Sequence, residues 1–287
     1  MIDFRLMTFL QLCQTMNYTK TAEQLHLTQP TITQHIQYLE KQYGKKLFHY
    51  EGKKLSLTKE GALLQQYAAT LQADSRQMQE KLMHCDEAWQ SIRFAATLTI
   101  GEYVMPFILA PYLQQNPRTT LRMLVDNTKT ILQLLQAGEI DFAFVEGNFP
   151  KREYGHRLFS EESYVAVCSP SHPLSTGVYE IEDLLSQRLL LREKGSGTRA
   201  VLENALKERT LAIDDFSSFA EIGNLNVVKQ LVAQNFGIAF FYEAAVREEL
   251  QHGVLKKIQI KDWQMSHEFN FIYLKDTMFA EEYLSFY

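Results

Sequence analysis

Cysteine is scarce. The three in 287 residues, Cys13, Cys85 and Cys168, lie far apart and are odd in number. None belongs to a CxxC pair or a metal-ligand spacing, so neither a disulfide framework nor a zinc site is encoded. Small buried thiols in a reduced, cytoplasmic protein are the expectation. No run approaches ~20 apolar residues, which excludes a helical membrane span. The opening MIDFRLMTFLQLCQ has no basic lead into a long apolar core, so no secretory leader is expected. Excess positive charge is missing too: 29 Lys/Arg stand against 34 Asp/Glu, a net −5, which excludes a bulk polycation. There is no GxSxG, HExxH or Walker loop. His156 and His172 are isolated near loops, and Asp141 and Glu146 share a strand without acid/base spacing. Solvated or capping roles are expected for all four, with no enzyme activity and no cofactor.

What is present is an ordinary globular composition, 46% hydrophobic and 22% charged, long enough for two or three cores. Charge is segregated. Residues 1–60 hold eight Lys/Arg against five Asp/Glu, and the remainder 21 against 29. A mildly basic head on an acidic body fits a nucleic-acid module joined to something that does not touch nucleic acid.

Tyr18 to Gly44 reads YTKTAEQLHLTQPTITQHIQYLEKQYG, two helices joined by a tight turn. Thr19 is the expected cap of the first and Thr28 of the second, with Pro30 in the first turn where no N–H is needed. Ile32, Ile36, Leu39 and Tyr43 form an inward stripe, and Gly44 ends the helix. The opposite face carries Gln29, Thr31, Thr33, Gln34 and Gln37. A solvated face normally carries Lys and Glu. Amides and hydroxyls are what reading base edges in a major groove requires. A helix over 2–15, with Leu6, Phe9, Leu10 and Cys13 buried, packs behind this pair. Leu47–Thr58 reads as a hairpin turned at Glu51-Gly52 and tipped by Lys53 and Lys54, with Lys45 and Lys46 at its start. Basic tips beside a helix-turn-helix suit phosphate contacts flanking a read groove.

Phe9, Ala22, Leu25, Thr28-Gln29-Pro30, Thr33, Ile36, Leu39-Glu40, Gly44, Leu47-Phe48 and Leu57-Thr58-Lys59-Glu60-Gly61 together resemble the DNA-binding half of LysR-type transcriptional regulators. The family usually has Ser at Thr19, Thr28 and Thr33, and these swaps keep the hydroxyl. It usually has Arg at Tyr50, so the phosphate contact expected there is not carried by this residue, and Lys53 or Lys54 is the candidate substitute.

From Thr58 to about Gln90 a long helix is predicted, with Leu64, Ala68, Leu71, Ser75, Met78, Leu82, Cys85 and Trp89 on a heptad seam. A helix of that length, ~1.5 Å per residue, suits a dimerising linker, and Leu64, Leu71, Met78, Leu82 and Trp89 are the expected contacts. The alternative is a helix lying on its own chain. The resemblance implies that this helix pairs two subunits and that the sensor lobes pair as well, giving a homodimer or homotetramer.

Beyond residue 91 helices and strands alternate, which calls for an α/β fold with a parallel sheet. Predicted strands are 91–96, 120–126, 141–146, 155–160, 163–169, 188–192, 217–221, 237–242, one near 254–260, and 268–274. Predicted helices include 100–115, 127–138, 198–209, 224–234 and 244–251. Two lobes follow, about 91–147 plus 268–287 and about 163–265, with crossings near Phe149–Tyr154 and Lys261–Ser266. The layout is that of periplasmic-type binding proteins, with a cleft between lobes, and the resemblance extends over essentially the whole chain.

Ligands in open α/β sheets sit beyond the strand carboxyl ends, at helix N-termini. Three stretches qualify: Thr97-Leu98-Thr99; Gly195-Ser196-Gly197-Thr198; and Asn127-Thr128 faced by Gly223-Asn224. Donors dominate all three, so a small anion such as a carboxylate is the expected effector class. Phe149 and Tyr242 could supply an apolar wall, while Phe241 fits the core. The expected partners are operator DNA, the effector, a second copy and RNA polymerase, with no membrane. A solute-binding component and an enzyme with an appended winged domain are the competing classes.

Overall fold

A computed structural model describes residues 3–52, 54–83 and 90–286. Lys53, Cys85 and Trp89 lie outside the described residues, so the wing-tip reading of Lys53 and the seam reading of Trp89 lie outside them too.

The head is α1 (Phe4–Thr15), α2 (Tyr18–Gln24), α3 (Gln29–Tyr43) and the hairpin β1 (Phe48–Glu51) and β2 (Lys54–Leu57). Thr28 caps α3, its hydroxyl accepting the Thr31 N–H at 3.3 Å, and Gly44 closes it at φ 65°. Thr19 does not cap α2. Asn17 does, accepting the Lys20 N–H at 3.0 Å, and Thr19 lies within the first turn, exposed. The cap sits two residues earlier because Asn17 is extended and Tyr18 already helical. Ile32, Ile36 and Leu39 are buried as expected, but Tyr43 at the frayed end of the stripe is 46% exposed.

Next comes α4 (Lys59–Met83), capped by Thr58, whose hydroxyl accepts the Gly61 N–H and donates to the Lys46 carbonyl. A Cβ on Gly61 would stand 2.1 Å from the Leu47 carbonyl oxygen. The glycine lets the helix start against the wing. The predicted helix to Gln90 is too long, since Gln90 already begins a strand.

The body contains β3 (Gln90–Thr97), α5 (Leu98–Tyr103), α6 (Met105–Gln115), β4 (Thr119–Asp126), α7 (Thr128–Gln136), β5 (Phe142–Glu146), β6 (Tyr154–Cys168), β7 (Val178–Tyr179), β8 (Arg188–Leu191), α8 (Gly197–Glu208), β9 (Ser218–Glu221), α9 (Leu225–Ala233), β10 (Ala239–Tyr242), α10 (Glu243–Gln251), β11 (Lys256–Lys257), β12 (Gln259–Ile260), β13 (Ser266–Leu274) and α11 (Ala280–Ser285). The helix predicted over 100–115 is broken at Val104, because Pro106 lacks the N–H a continuous helix would use. The strand near 254–260 is two short ones. β11 pairs with β6 and β12 with β7, Ile258 being buried between them.

The strand order β10-β6-β13-β5-β3-β4 explains the two lobes. β3 is parallel to both β4 and β5, while β13 is antiparallel to β5 and β6. The two strands predicted at 155–160 and 163–169 are one. The first half of β6 pairs with β13 in lobe I, and its second half pairs with β10 in lobe II. Glu161 and Glu162, left between the two predicted strands, pair with Glu268 and His267 on β13 and carry the strand across. The crossing is therefore this two-stranded ribbon rather than Phe149–Tyr154, and residues 154–160 belong to lobe I.

Aromatic rings tie the lobes into one core. Phe142, Phe144 and Phe271 pack in lobe I, and Tyr242 meets Phe269 edge-on at 4.8 Å and Tyr164 at 5.3 Å. One face of α4 lies on lobe I of its own chain. Ala69 and Ala73 lie against Gly138, Asp74 accepts the Met278 N–H at 3.1 Å, and Arg76 pairs with the buried Asp141. Asp141 also accepts the Arg93 N–H at 3.0 Å, so it is a buried brace rather than a solvated group.

Candidate functional site

The outer face of α3 presents Gln29, Pro30, Gln34 and Gln37 exposed and Thr31 and Thr33 half-buried. The hydroxyls are already ordered locally: Thr33 donates to the Gln29 carbonyl at 3.1 Å, and Thr28 and Thr31 share a hydrogen bond of 2.8 Å. The Gln29 amide donates to the Thr33 hydroxyl at 3.4 Å, while the exposed amides of Gln34 and Gln37 point away from the core. Lys45, Lys46 and Lys54 are exposed on the wing side, and Tyr50 is 64% exposed. Lys46 is not a free cation, because Glu40 holds it at 2.6 Å while also accepting the Leu47 N–H at 3.0 Å. Lys20, exposed at the start of α2, was missed by the sequence reading and adds a cation to the same head.

The second site lies where lobe I meets lobe II. The N-termini of α5 and α7 come from lobe I and that of α8 from lobe II. Thr97 is buried and accepts the Glu146 N–H at 3.3 Å, binding the end of β5 to the start of α5. Leu98 is half-buried and Thr99 fully buried. Asn127 caps α7, accepting the Thr130 N–H at 3.0 Å, and the Thr128 hydroxyl donates to the Glu146 carbonyl at 3.2 Å.

Facing them is the loop Gly195-Ser196-Gly197-Thr198. Gly147 and Gly197 nearly touch: a Cβ on Gly147 would meet the Gly197 Cα at 2.9 Å, and one on Gly197 would meet the Glu146 carbonyl oxygen at 2.6 Å. The cleft is closed on this side by backbone against backbone. On the other side the Tyr103 hydroxyl of lobe I donates to Asn226 Oδ1 of lobe II at 2.8 Å, and the Lys229 ammonium lies 4.4 Å from the Tyr103 ring.

Gly223 and Asn224 do not face Asn127. Asn224 is exposed and caps α9, accepting the Val227 N–H at 3.0 Å, while Gly223 lies nearest Glu193. The loop opposite Asn127 is Gly195–Gly197, because α8 starts there, whereas α9 starts opposite Tyr103 on the other side of the cleft. Phe241 is core, and Phe149 meets Tyr154 and His156 edge-on within lobe I.

Glu146 is what sequence reading misjudged. It is 2% exposed, and its Oε1 accepts the Thr198 hydroxyl at 2.7 Å. Burial pushes its carboxyl above the ordinary range, opposed by the Thr99 and Thr198 hydroxyls and the charge of Arg192. Tyr164 donates to the Thr198 carbonyl at 2.8 Å, and Tyr242 is buried beside it. Arg192, also buried, forks onto Glu193 at 2.8 and 2.9 Å. The only signal in the sequence was a carboxylate ending an apolar strand and followed by glycine. His172 takes the capping role expected of it, accepting the Leu174 N–H at 3.1 Å. Among the described residues no cluster of His, Cys, Asp and Glu could hold a metal, and no helix is long and apolar enough to cross a membrane.

Two family models match: the bacterial regulatory helix-turn-helix of the lysR family over residues 5–62 and the LysR substrate binding domain over residues 87–280. The HTH-type transcriptional regulator YeiE of Escherichia coli is 28% identical over 256 residues, covering 89% of this chain and 85% of that protein. The HTH-type transcriptional regulator CysL of Bacillus subtilis is 27% identical over 270 residues, covering 93% and 89%. Among solved structures, a full-length OxyR variant from Pseudomonas aeruginosa matches with a TM-score of 0.63 at 19% identity, over 99% of this chain and 93% of that one. The regulatory domain of CcmR from Synechocystis in complex with 2-PG matches with a TM-score of 0.62 at 21% identity, over 69% and 95%.

Proposed function

The chain belongs to the LysR family of transcriptional regulators, and from that premise we propose that it is a cytoplasmic, non-enzymatic regulator whose DNA binding or bending responds to a small anionic effector in the interlobe cleft. The observation that carries this reading is the convergence of three helix N-termini from both lobes on one closed cleft. Oriented N–H groups and hydroxyls favour an anion there. Lys129 and Lys194 stand at its mouth on opposite lobes, exposed and paired with no carboxylate among the described residues.

An effector can shift the molecule only by binding one conformation better than another. A ligand bridging Thr97, Thr99 and Asn127 of lobe I to Ser196 and Thr198 of lobe II favours closure, with the β6/β13 ribbon as hinge. Since α4 lies on lobe I, a change in lobe angle alters how paired heads sit on DNA. The exposed stripe of α4 supplies the self-association surface, and RNA polymerase is the downstream partner.

The test is operator affinity and bend angle by gel retardation, with and without small anions, on DNA from upstream of the gene. A specific complex whose bend responds to an anion is expected. Failure to prefer any DNA over random competitor would sink the regulator reading.

A further inference from the structure

Among the described residues, four buried polar atoms around the cleft lack a hydrogen bond of ordinary geometry: Glu146 Oε2 and Thr99 Oγ1, which face one another, Arg192 Nη1, and the Tyr242 hydroxyl, which faces the Gly147 backbone. Their residues are 2%, 0%, 4% and 0% exposed. They come from β5, α5, the end of β8 and β10, so four separate elements deliver them. A buried polar atom left unmatched costs about 1–3 kcal/mol, and four at one junction of two lobes mark a place built to hold something. Three of the four can donate. The fourth, a carboxylate oxygen, donates only when protonated.

The groups facing Glu146 are few. From α5 there is the Thr99 hydroxyl, from α8 the Thr198 hydroxyl, from β6 the Tyr164 phenol, from β10 the Tyr242 phenol, and beyond β8 the Arg192 guanidinium. Among the described residues Arg192 is the one cation in this group, and Glu193 already engages it. The carboxylate therefore has no cation of its own, and burial favours its neutral form. The four atoms are also enclosed. Gly147 against Gly197 closes one side and Tyr103 on Asn226 the other. No bulky side group fits between them while the lobes stay closed.

We propose that the effector is an oxyanion of only a few heavy atoms, and that Glu146 binds it as the neutral acid, donating its proton to an effector oxygen alongside Thr99, Tyr242 and Arg192. This rests on the reading of the cleft as the effector site and narrows it to a ligand class and a linkage. One proton from solvent sits on Glu146 in the complex, so the anion and that proton bind together. Lys129 and Lys194 draw the anion to the mouth, and inside it meets donors and an acid rather than a second negative charge. Larger carboxylates with side groups are excluded by the glycine contact.

The experiment is calorimetric titration of the full-length protein with sulfate, nitrate, formate and acetate between about pH 6 and pH 9, where none of these anions titrates and any pH dependence belongs to the protein. Each titration is repeated in two buffers of different ionisation enthalpy. At least one anion is expected to bind, with affinity falling up to tenfold per pH unit on the alkaline side and uptake of roughly one proton there. Glu146→Gln keeps the shape and offers an amide N–H in place of the acid, so binding should persist with the proton uptake and pH slope gone. Tyr242→Phe should weaken binding about tenfold and leave the slope intact. Binding that is flat with pH in the wild type, or a slope that survives Glu146→Gln, overturns the role of Glu146. No binding by any of the four overturns the ligand class. Gel retardation on the same preparation separates the two readings: operator binding without anion binding removes this inference alone.

Discussion

Gln29 and Gln34 are exposed on the outer face of α3, and the long, exposed contact of the Gln29 amide to Thr33 at 3.4 Å is readily exchanged for one to a base edge. Each should read one base, so Gln29→Ala and Gln34→Ala are expected to lose about 1–3 kcal/mol of discrimination at one base pair. Binding to a panel of single-base operator variants measures this, and uniform weakening would reassign the residue to the backbone. Lys54 on the wing should behave oppositely, with Lys54→Ala weakening every sequence alike and reducing the salt slope by about one. An unchanged slope would take the wing off the DNA. Glu146 gives a prediction of another kind. Its carboxyl holds a proton to higher pH in the folded chain than in the unfolded one. As pH rises from the ordinary carboxylate range, the unfolded state releases its proton first, and the folded state loses relative stability until the folded group ionises too. Glu146→Gln should therefore melt higher than wild type near pH 8, with the gap closing toward about pH 4. A gap independent of pH would assign the titration elsewhere.

At the scale of elements, α4 has two faces with different partners. Ala69, Ala73, Asp74 and Gln77 are buried against the rest of the chain, whereas Leu71, Met78 and Leu82 are 55%, 47% and 67% exposed. Leu63 and Tyr67 extend that exposed stripe, while Leu64, expected on the seam, packs half-buried against the head's core. A helix that buries one stripe in its own domain and leaves another apolar stripe bare is suited to a second copy of itself. Leu82→Asp would place an unpaired charge in that contact, and sedimentation should show a smaller assembly. Wild-type mass would mean that the stripe is not the interface. Gly61 tests the junction of α4 with the wing. Its Cβ would strike the Leu47 carbonyl, so Gly61→Ala should destabilise the chain by about 1–3 kcal/mol in chemical denaturation.

For the whole molecule, the deciding feature is lobe closure through Gly147 and Gly197. Gly197→Ala puts a methyl 2.6 Å from the Glu146 carbonyl oxygen, and backbone cannot yield as a side chain can. The lobes should part, raising the radius of gyration in small-angle scattering and removing the response of DNA bending to anions. A scattering profile identical to wild type would show that closure tolerates the wedge. The β6/β13 ribbon is the element about which such opening turns, since it alone pairs strands of both lobes.

Local signals carried much of this protein. Thr28, Pro30 and Gly44 marked the recognition helix, alternation marked the hairpin, and strand–helix repetition marked the α/β body, because capping, turn chemistry and periodicity act over a few residues. The same locality explains the errors. Asn17 and Thr19 are both good caps, and only the chain's path into α2 selects the first. Glu161 and Glu162 fall between two predicted strands until β13 is placed beside them. Asn224 and Gly223 resemble a binding turn, but α8 starts opposite Asn127 while α9 starts opposite Tyr103. Glu146 reads as a carboxylate like any other, and its environment is assembled from Thr99, Thr198, Arg192 and Tyr242, spread over 144 positions of sequence. Burial and charge neighbours are properties of distant segments brought together, so which carboxylate is buried among hydroxyls, which glycine touches which, and which face of α4 stays bare were decided only by tertiary packing.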